Sequence, residues 1–369
     1  MNAYQPVESL RQDLAEKGVK YAMASYVDIH GAIKGKFVPL NHLDRMMKGS
    51  ELYTGAALDG VPQDINDDEV AAMPDAASAT QCTWNRQLAW FASDLHLNGE
   101  PFQACSRHIL KRQLAAAAEL GFSFNLGIET EFFLFKDTED GGFAPISDRD
   151  VLDKPCYDPS VLMDNLPIID EIVEAMNEQG WDVYSFDHED ANGQFETDFM
   201  FTDALNMADR LVYFRMMANE IARKHGAFAS FMAKPFADRT GSGAHFNMSL
   251  ADIDSGKNLF EPDGDDPHQC GVSPLAYHFI AGVLKHARAI CAVNTISAVA
   301  PASLIPSADE PACAMTGCPC TGRPVCDGPA TRKCAPTWSI GRTFAASKKR
   351  RPLWSNSKAS SSQLSHSAR

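Results

Sequence analysis

No run of about 18 apolar residues occurs in this 369-residue chain, which excludes a helical membrane span. Met1-Asn2-Ala3-Tyr4-Gln5-Pro6 lacks the basic and apolar regions of a signal peptide, so a cytoplasmic protein is expected. Positive charge is scarce: 33 Lys and Arg stand against 48 Asp and Glu, a net charge of −15. That balance argues against a nucleic-acid or acidic-membrane surface and suits a protein that binds cations. Zinc-ligand spacing is missing as well. Five of the ten cysteines, Cys313, Cys318, Cys320, Cys326 and Cys334, crowd into one segment. Cys318-Pro319-Cys320 is not zinc-ligand spacing, and no histidine lies between Asn294 and Ser365. The other five, Cys82, Cys105, Cys156, Cys270 and Cys291, are scattered as in a reducing compartment. No short-period repeat is present.

What is present is ordinary globular composition, 45% apolar and 22% charged, in a chain long enough for one large or two medium domains. Glu8 to Lys17 reads as a short amphipathic helix stopped by Gly18. Tyr21–Asp28 and Ile33–Val38 read as two strands joined at His30-Gly31, a small N-terminal sheet. A loop rich in glycine and carboxylates follows at Tyr53–Asp64, where Asp59-Gly60 by itself marks a turn. From Arg107 helices and strands alternate. The helices are Arg107–Leu120 with Gly121 as its stop, Leu162–Gln179, and Leu205–Lys224 with Gly226 as its stop. The strands are Phe124–Phe135, Asp182–Phe186 and Phe228–Met232, and the alternation predicts a helix-covered central sheet.

Polar residues interrupt these strands in a pattern. Alternation along Phe124–Phe135 sets Glu129 and Glu131 side by side on one face. Buried without a partner they would repel, so something positive should sit between or above them; a solvent-facing sheet is the plain alternative. Glu189 and Glu196 lie either side of a polar turn containing Gly193, which lets a hairpin return bring both toward one point. Arg239-Thr240-Gly241-Ser242-Gly243 can bring backbone N–H groups close to an anion, and leads into a strand with His245, Asn247 and Ser249 on one face. Four glutamates and a histidine near strand ends match a hard divalent cation, Mg²⁺ or Mn²⁺, better than zinc. Paired glutamates also fit the acid and base of a metal-independent glycoside hydrolase, an alternative these residues alone leave open.

Taken together, the order Gly127-Ile128-Glu129-Thr130-Glu131, then His188-Glu189 with Gly193-Gln194-Phe195-Glu196, then Lys234-Pro235 with Gly241-Ser242-Gly243-Ala244-His245 and Ser249 resembles the glutamine synthetase family. The helix around Tyr277–Ala287 fits the same likeness, which runs from near the N-terminus to about Val293. Tyr53–Gly60 and Phe186–Asp190 are most similar to type III glutamate–ammonia ligases and γ-glutamylmethylamide synthetases. The resemblance implies an α+β or α/β fold: a small β-grasp-like domain over 1–104 and a partial catalytic α/β domain over 105–293, in a dodecamer-like ring. It implies L-glutamate, ATP and ammonia or a small amine as substrates, with no nucleic acid and no membrane. It also implies that Glu131, Glu189 and Glu196 hold one Mg²⁺, that Glu129 and His245 contribute to a second, and that Glu189 and Asp59 are catalytic. Asn247 and Ser249 fall where the family contacts nucleotide, and Gly241 where it contacts glutamate. Asp59 falls near the aspartate that binds and deprotonates ammonium, although the family's Asp-Gly-Ser-Ser pattern is absent.

Beyond Val293 the likeness fails. The expected Asn-Pro and Tyr-Lys-Arg segments, the Asn-Arg run and the Arg-x-Glu strand are missing. Residues 294–369 hold ten Lys and Arg against three Asp and Glu, a net of +7 that leaves −22 for the rest. A shift of reading frame near residue 293 is the favoured expectation, and a divergent basic, disordered tail is the alternative. The missing part would supply arginines and a metal ligand, so weak or absent turnover is expected.

Overall fold

The computed structural model describes residues 7–294, with Asp263, Asp265 and Pro267 excepted. The segment on which the reading-frame expectation turns lies outside the described residues.

The N-terminal part opens with helix α1 (Val7–Glu16) and strands β1 (Tyr21–Val27) and β2 (Ile33–Pro39). β1 and β2 form an antiparallel hairpin, as the sequence suggests. Its turn is fixed by Asp28, whose carboxylate accepts the N–H groups of His30 and Ala32, each at 2.9 Å, while Gly31 adopts φ +72°. A one-turn helix α2 (Leu43–Met46) and strands β3 (Glu51–Tyr53), β4 (Val70–Pro74), β5 (Thr80–Gln81), β6 (Leu88–Leu97) and β7 (Glu100–Pro101) complete this sheet, with β2-β1-β6-β4-β3 as its main path. Among the described strands, β1 and β6 alone pair in parallel.

β6 divides two cores. Ala89, Phe91 and Leu95 join Leu10, Leu14, Leu43 and Met46 on one side. Leu88, Trp90 and Ala92 join the helices of the next layer on the other. A strand buried on both faces carries no polar alternation, so the sequence pattern does not announce it.

The second sheet is built on β8 (Phe122–Asp137), flanked by helix α3 (Ser106–Glu119) and strand β9 (Phe143–Pro145). Helix α4 (Pro159–Glu178), strands β10 (Val183–His188), β11 (Gln194–Phe199) and β12 (Thr202–Asp203), helix α5 (Ala204–Lys224), strands β13 (Phe228–Ser230) and β14 (Ala244–Asp252), and helix α6 (Pro274–Asn294) follow. Asp158 caps α4 through the N–H of Ser160, and Asp203 caps α5 through that of Asn206. Every pair in this sheet is antiparallel, so of the two classes the sequence admits the chain is α+β. No helix among the described residues is long and apolar enough to cross a membrane.

The pleat of β8 explains where polar chemistry can sit. Leu126, Ile128, Phe132 and Leu134 pack against Ile169, Ile172, Phe214 and Met217 of α4 and α5. Residues between them point the other way: Glu129 and Glu131 in mid-strand, then Phe133 and Phe135, which pack with Ala191, Phe228 and Phe236. The sheet is thus greasy on its helix side, and polar on the other until a phenylalanine cluster closes one end.

Candidate active site

Register carries the polar face across the sheet. Glu196 lies opposite Glu131 and Asp187 opposite Glu196. His245 lies opposite Glu129, Asn247 opposite Gly127, and Ser249 opposite Asn125. Directly opposed residues share a face, so the carboxylates of β8, β10 and β11 and the imidazole of β14 converge. Gly193, at φ +78°, turns β10 back into β11 and brings Glu189 alongside. Two groups of ligand atoms result, each drawn together within 4.8 Å: Glu131, Glu189 and Glu196, and Glu129, Glu196 and His245. Glu196 belongs to both.

The supporting contacts are specific. Glu131 accepts the N–H of Gly243 and the Nε2 of Gln194, each at 2.8 Å. A Cβ on Gly243 would stand 2.8 Å from Glu131 Oε1, so a side chain here would displace the carboxylate from its present position. Gly241 meets a similar demand, since a Cβ there would lie 2.4 Å from the carbonyl oxygen of Ala233. Asn247 Nδ2 donates to Glu129 Oε1 at 2.8 Å, and His245 Nδ1 lies 3.3 Å from Glu129 Oε2 and 3.8 Å from Glu196 Oε2. Beneath the hairpin, buried His188 sets Nδ1 at 2.8 Å from the carbonyl of Pro155 and Nε2 at 3.0 Å from Asp150. Asp150 also accepts the Gly193 N–H at 2.5 Å, which ties that turn in place.

Six carboxylates, those of Glu129, Glu131, Asp187, Glu189, Glu196 and Asp198, crowd this face. Among the described residues no Lys or Arg forms an ion pair with any of them. The electrostatic result is large. Burial, then repulsion by Asp198, Glu189, Glu131 and Glu129, pushes Glu196 up to about 9. Burial, then Glu131 and Asp187, pushes Glu189 up to about 7, and burial raises Glu131 against the pull of the Gly243 N–H. Glu196 Oε2 is buried and accepts no hydrogen bond. An oxygen-rich, anionic set with an orphaned buried acceptor fits a hard divalent cation, and His245 is compatible with one.

The other expected residues fall differently. Ser249 lies farther along β14 on the same face. Asp59 is exposed on the N-terminal part, where it faces His30 Nε2 at 3.2 Å and makes no described bond to the acidic face. The sequence carries His188 and Gln194 only within the motifs of the resemblance, and Gly243 only within the loop whose N–H groups can approach an anion, as its N–H does at Glu131; to Asp150 and Asp198 it gives no role. Gln194 was findable as a site residue, because it shares the period-two face of Glu196; the Asp150 contact needed the fold.

Residues 103–314 match the family described as glutamine synthetase, catalytic domain, and so carry the likeness past Val293. A glutamate–methylamine ligase of Methyloversatilis universalis is 41% identical over 284 residues, 77% of this chain and 63% of that protein. A glutamine synthetase of Rhizobium meliloti is 40% identical over 282 residues, 76% of this chain and 62% of that protein. The solved structure of a GmaS–ADP complex superposes with a TM-score of 0.73 at 38% identity, over 78% of this chain and 64% of that one. The chain thus spans under two thirds of the length of these relatives. With a catalytic-domain match over more than half its length and the carboxylates of that match gathered on one sheet face, the chain belongs to the glutamine synthetase family.

Proposed function

We propose that this chain carries the metal-binding face of an ATP-dependent glutamate–amine ligase, acting in the cytoplasm on L-glutamate with ammonia or a small amine. The observation that carries the reading is the pair of ligand groups sharing Glu196 on a face that, among the described residues, has no lysine or arginine ion-pair partner. In such a reaction the γ-carboxylate of glutamate attacks the terminal phosphorus of ATP, releasing ADP and forming γ-glutamyl phosphate. The amine, having lost a proton, then displaces phosphate. Charge accumulates on phosphoryl oxygens, so most of the catalysis is positioning and electrostatic compensation.

Glu131, Glu189 and Glu196 would hold one Mg²⁺, and Glu129, Glu196 and His245 a second, with Mn²⁺ as the alternative ion. Bound there, the cations neutralise phosphate charge and polarise the transferred group. The protein's own groups do the rest. Gly243 and Gln194 orient Glu131, and Asn247 orients Glu129 while Ser249 extends its polar strip toward nucleotide. The Gly241 loop offers backbone to glutamate. Asp59 is assigned the ammonium, in a 1–104 domain that packs on the 105–293 domain, and a ring of copies is the assembly this reading carries. The glutamate–methylamine ligase among the relatives makes methylamine the acceptor to compare with ammonia.

Residues 294–369 hold none of the arginine-bearing motifs that the resemblance calls for. Loss of one group that stabilises developing charge typically costs on the order of a hundredfold. The test is ADP release by the full chain with glutamate and Mg²⁺, comparing ammonia, methylamine and no amine, beside an ATP-binding isotherm. Mg²⁺-dependent ATP binding with slow, amine-dependent release is expected. ATP binding indifferent to divalent cations would sink the reading, and rates typical of the family would refute only the slow turnover.

A further inference from the structure

Four of the five residues in the two ligand groups are placed by the sheet itself. Glu131 lies opposite Glu196 in the ladder of β8 and β11, and Glu129 opposite His245 in that of β8 and β14. Glu189 is the exception. The register of β10 with β11 ends at His188 and Phe195, and Glu189 stands one residue beyond it, at the start of the turn. Its N–H reaches the carbonyl of Gln194 at 2.9 Å. Among the described strands β10 is also an edge of this sheet, so no second strand steadies its end.

What holds this turn comes from outside the sheet, from the segment that leads into α4. Asp150 is buried, 5% exposed, and spends both carboxylate oxygens on the hairpin end. Its Oδ1 accepts Asn192 Nδ2 at 2.8 Å, while Oδ2 accepts the Gly193 N–H at 2.5 Å and faces His188 Nε2 at 3.0 Å. The carbonyl of Leu152 also accepts Asn192 Nδ2, at 3.1 Å, and that of Pro155 faces His188 Nδ1 at 2.8 Å. The N–H of Tyr157 returns a bond to the carbonyl of His188 at 2.8 Å. Tyr157 does so at φ +64°, a conformation that a non-glycine residue keeps only where its surroundings enforce it. No Lys or Arg forms an ion pair with Asp150 among the described residues.

We propose that Asp150 is a positioning residue of the metal-binding face: its carboxylate fixes the end of the β10–β11 hairpin and so sets Glu189 against Glu131 and Glu196. This rests on the metal-binding reading above and adds to it a residue that touches no ion. The physical reason is that three converged carboxylates repel, and the one that lies off the ladder is the one free to swing away. Three donors gathered on one buried carboxylate hold it in place.

The experiment is Mn²⁺ titration of the full chain, read by calorimetry and by the electron paramagnetic signal of free Mn²⁺, on the parent, Asp150→Ala and Asp150→Asn. Glu189→Gln and His245→Asn identify the two classes of site, because each of these residues belongs to one ligand group only. Circular dichroism establishes that each variant is folded at the titration temperature. Asp150→Ala, which removes every acceptor, is expected to weaken the class containing Glu189 by about tenfold or more. Asp150→Asn leaves one acceptor oxygen for three donors, so its loss should be smaller but present. In both variants the class containing His245 should keep the affinity of the parent. A merely structural carboxylate would lower the melting temperature without separating the two classes. Both classes unchanged, or both weakened alike, therefore overturns the assignment; where Asp150→Ala does not fold, Asp150→Asn decides by the same criterion. A parent chain that binds no Mn²⁺ overturns the metal-binding reading itself, and this assignment with it.

Discussion

The chain concentrates acidic side chains in two places and treats them in opposite ways. At the junction of the two sheets, Arg107 at the start of α3 donates to Asp75 at 2.8 Å, Asp94 at 3.0 Å and Asp209 at 2.9 Å, and Lys111 reaches Asp94 at 2.6 Å. Burial alone would raise Asp94, but the Lys111 and Arg107 contacts outweigh it and hold this carboxyl below its ordinary value. On the sheet face, the same cost of burial meets no Lys or Arg among the described residues, and Glu196 is pushed up to about 9. In the first cluster the fold supplies the compensating charge; in the second it is left for something that binds. A buried, hydrogen-bonded arginine is here a mark of architecture, and uncompensated carboxylates a mark of function.

The sharpest way to break this contrast is to remove the fold's own cation. Arg107→Met would strand three carboxylates contributed by β6, α5 and the end of β4. Breaking a buried ion pair from one side typically costs about 3–5 kcal/mol, and the Arg107 side chain is only 10% exposed. Denaturant unfolding should show a loss of that order. A loss under about 1 kcal/mol would mean that the network is merely a surface feature.

The next largest effect runs in the opposite sense. Glu196→Gln keeps the shape of the acidic face but removes the charge shared by both ligand groups. Metal binding should weaken by about a hundredfold, the upper range for disturbing such a site, while the metal-free protein becomes more stable at pH 8. The pH dependence has a definite sign. The unfolded chain ionises its glutamates near pH 4.3, whereas the folded chain holds the protons on Glu189 to about 7 and on Glu196 to about 9. Their contribution to metal-free stability is therefore fully present below about pH 4 and declines as pH rises toward 9. Saturating Mg²⁺ should flatten this slope, and so should Glu196→Gln. Melting curves of the metal-free parent that are level from pH 5 to 9 would contradict it.

How much of this contrast the sequence reveals depends on how far apart its members lie along the chain. Glu129, Glu131, His245, Asn247 and Ser249 were legible because a period of two puts them on one side of a strand, and Glu189 and Glu196 because Gly193 marks the turn between them. Helix ends at Gly121 and Gly226 were legible from the conformational freedom of glycine. The Arg107 cluster was not, because its partners come from positions 75, 94 and 209 and only the packing of two sheets unites them. β6 was not, because Leu88-Ala89-Trp90-Phe91-Ala92 serves two cores and shows no period.

The smallest effect should come from a methyl group. Gly243→Ala would put a Cβ 2.8 Å from Glu131 Oε1 and 3.6 Å from His245 Nε2, in backbone that is not in the left-handed region. The fold can accept the alanine; the carboxylate must move. Metal affinity at Glu131, Glu189 and Glu196 should fall about tenfold, with the metal-free melting temperature nearly unchanged. Gly193→Ala provides the converse. That glycine sits at φ +78°, and a Cβ there would stand 3.2 Å from the carbonyl oxygen of Leu134, so the change should cost about 1–3 kcal/mol of stability through backbone strain. Its effect on metal binding should follow only from the displaced hairpin. If Gly243→Ala instead destabilised the metal-free protein as much as Gly193→Ala, the loop would be part of the scaffold. The acidic face would then lose its distinction from the compensated cluster around Arg107.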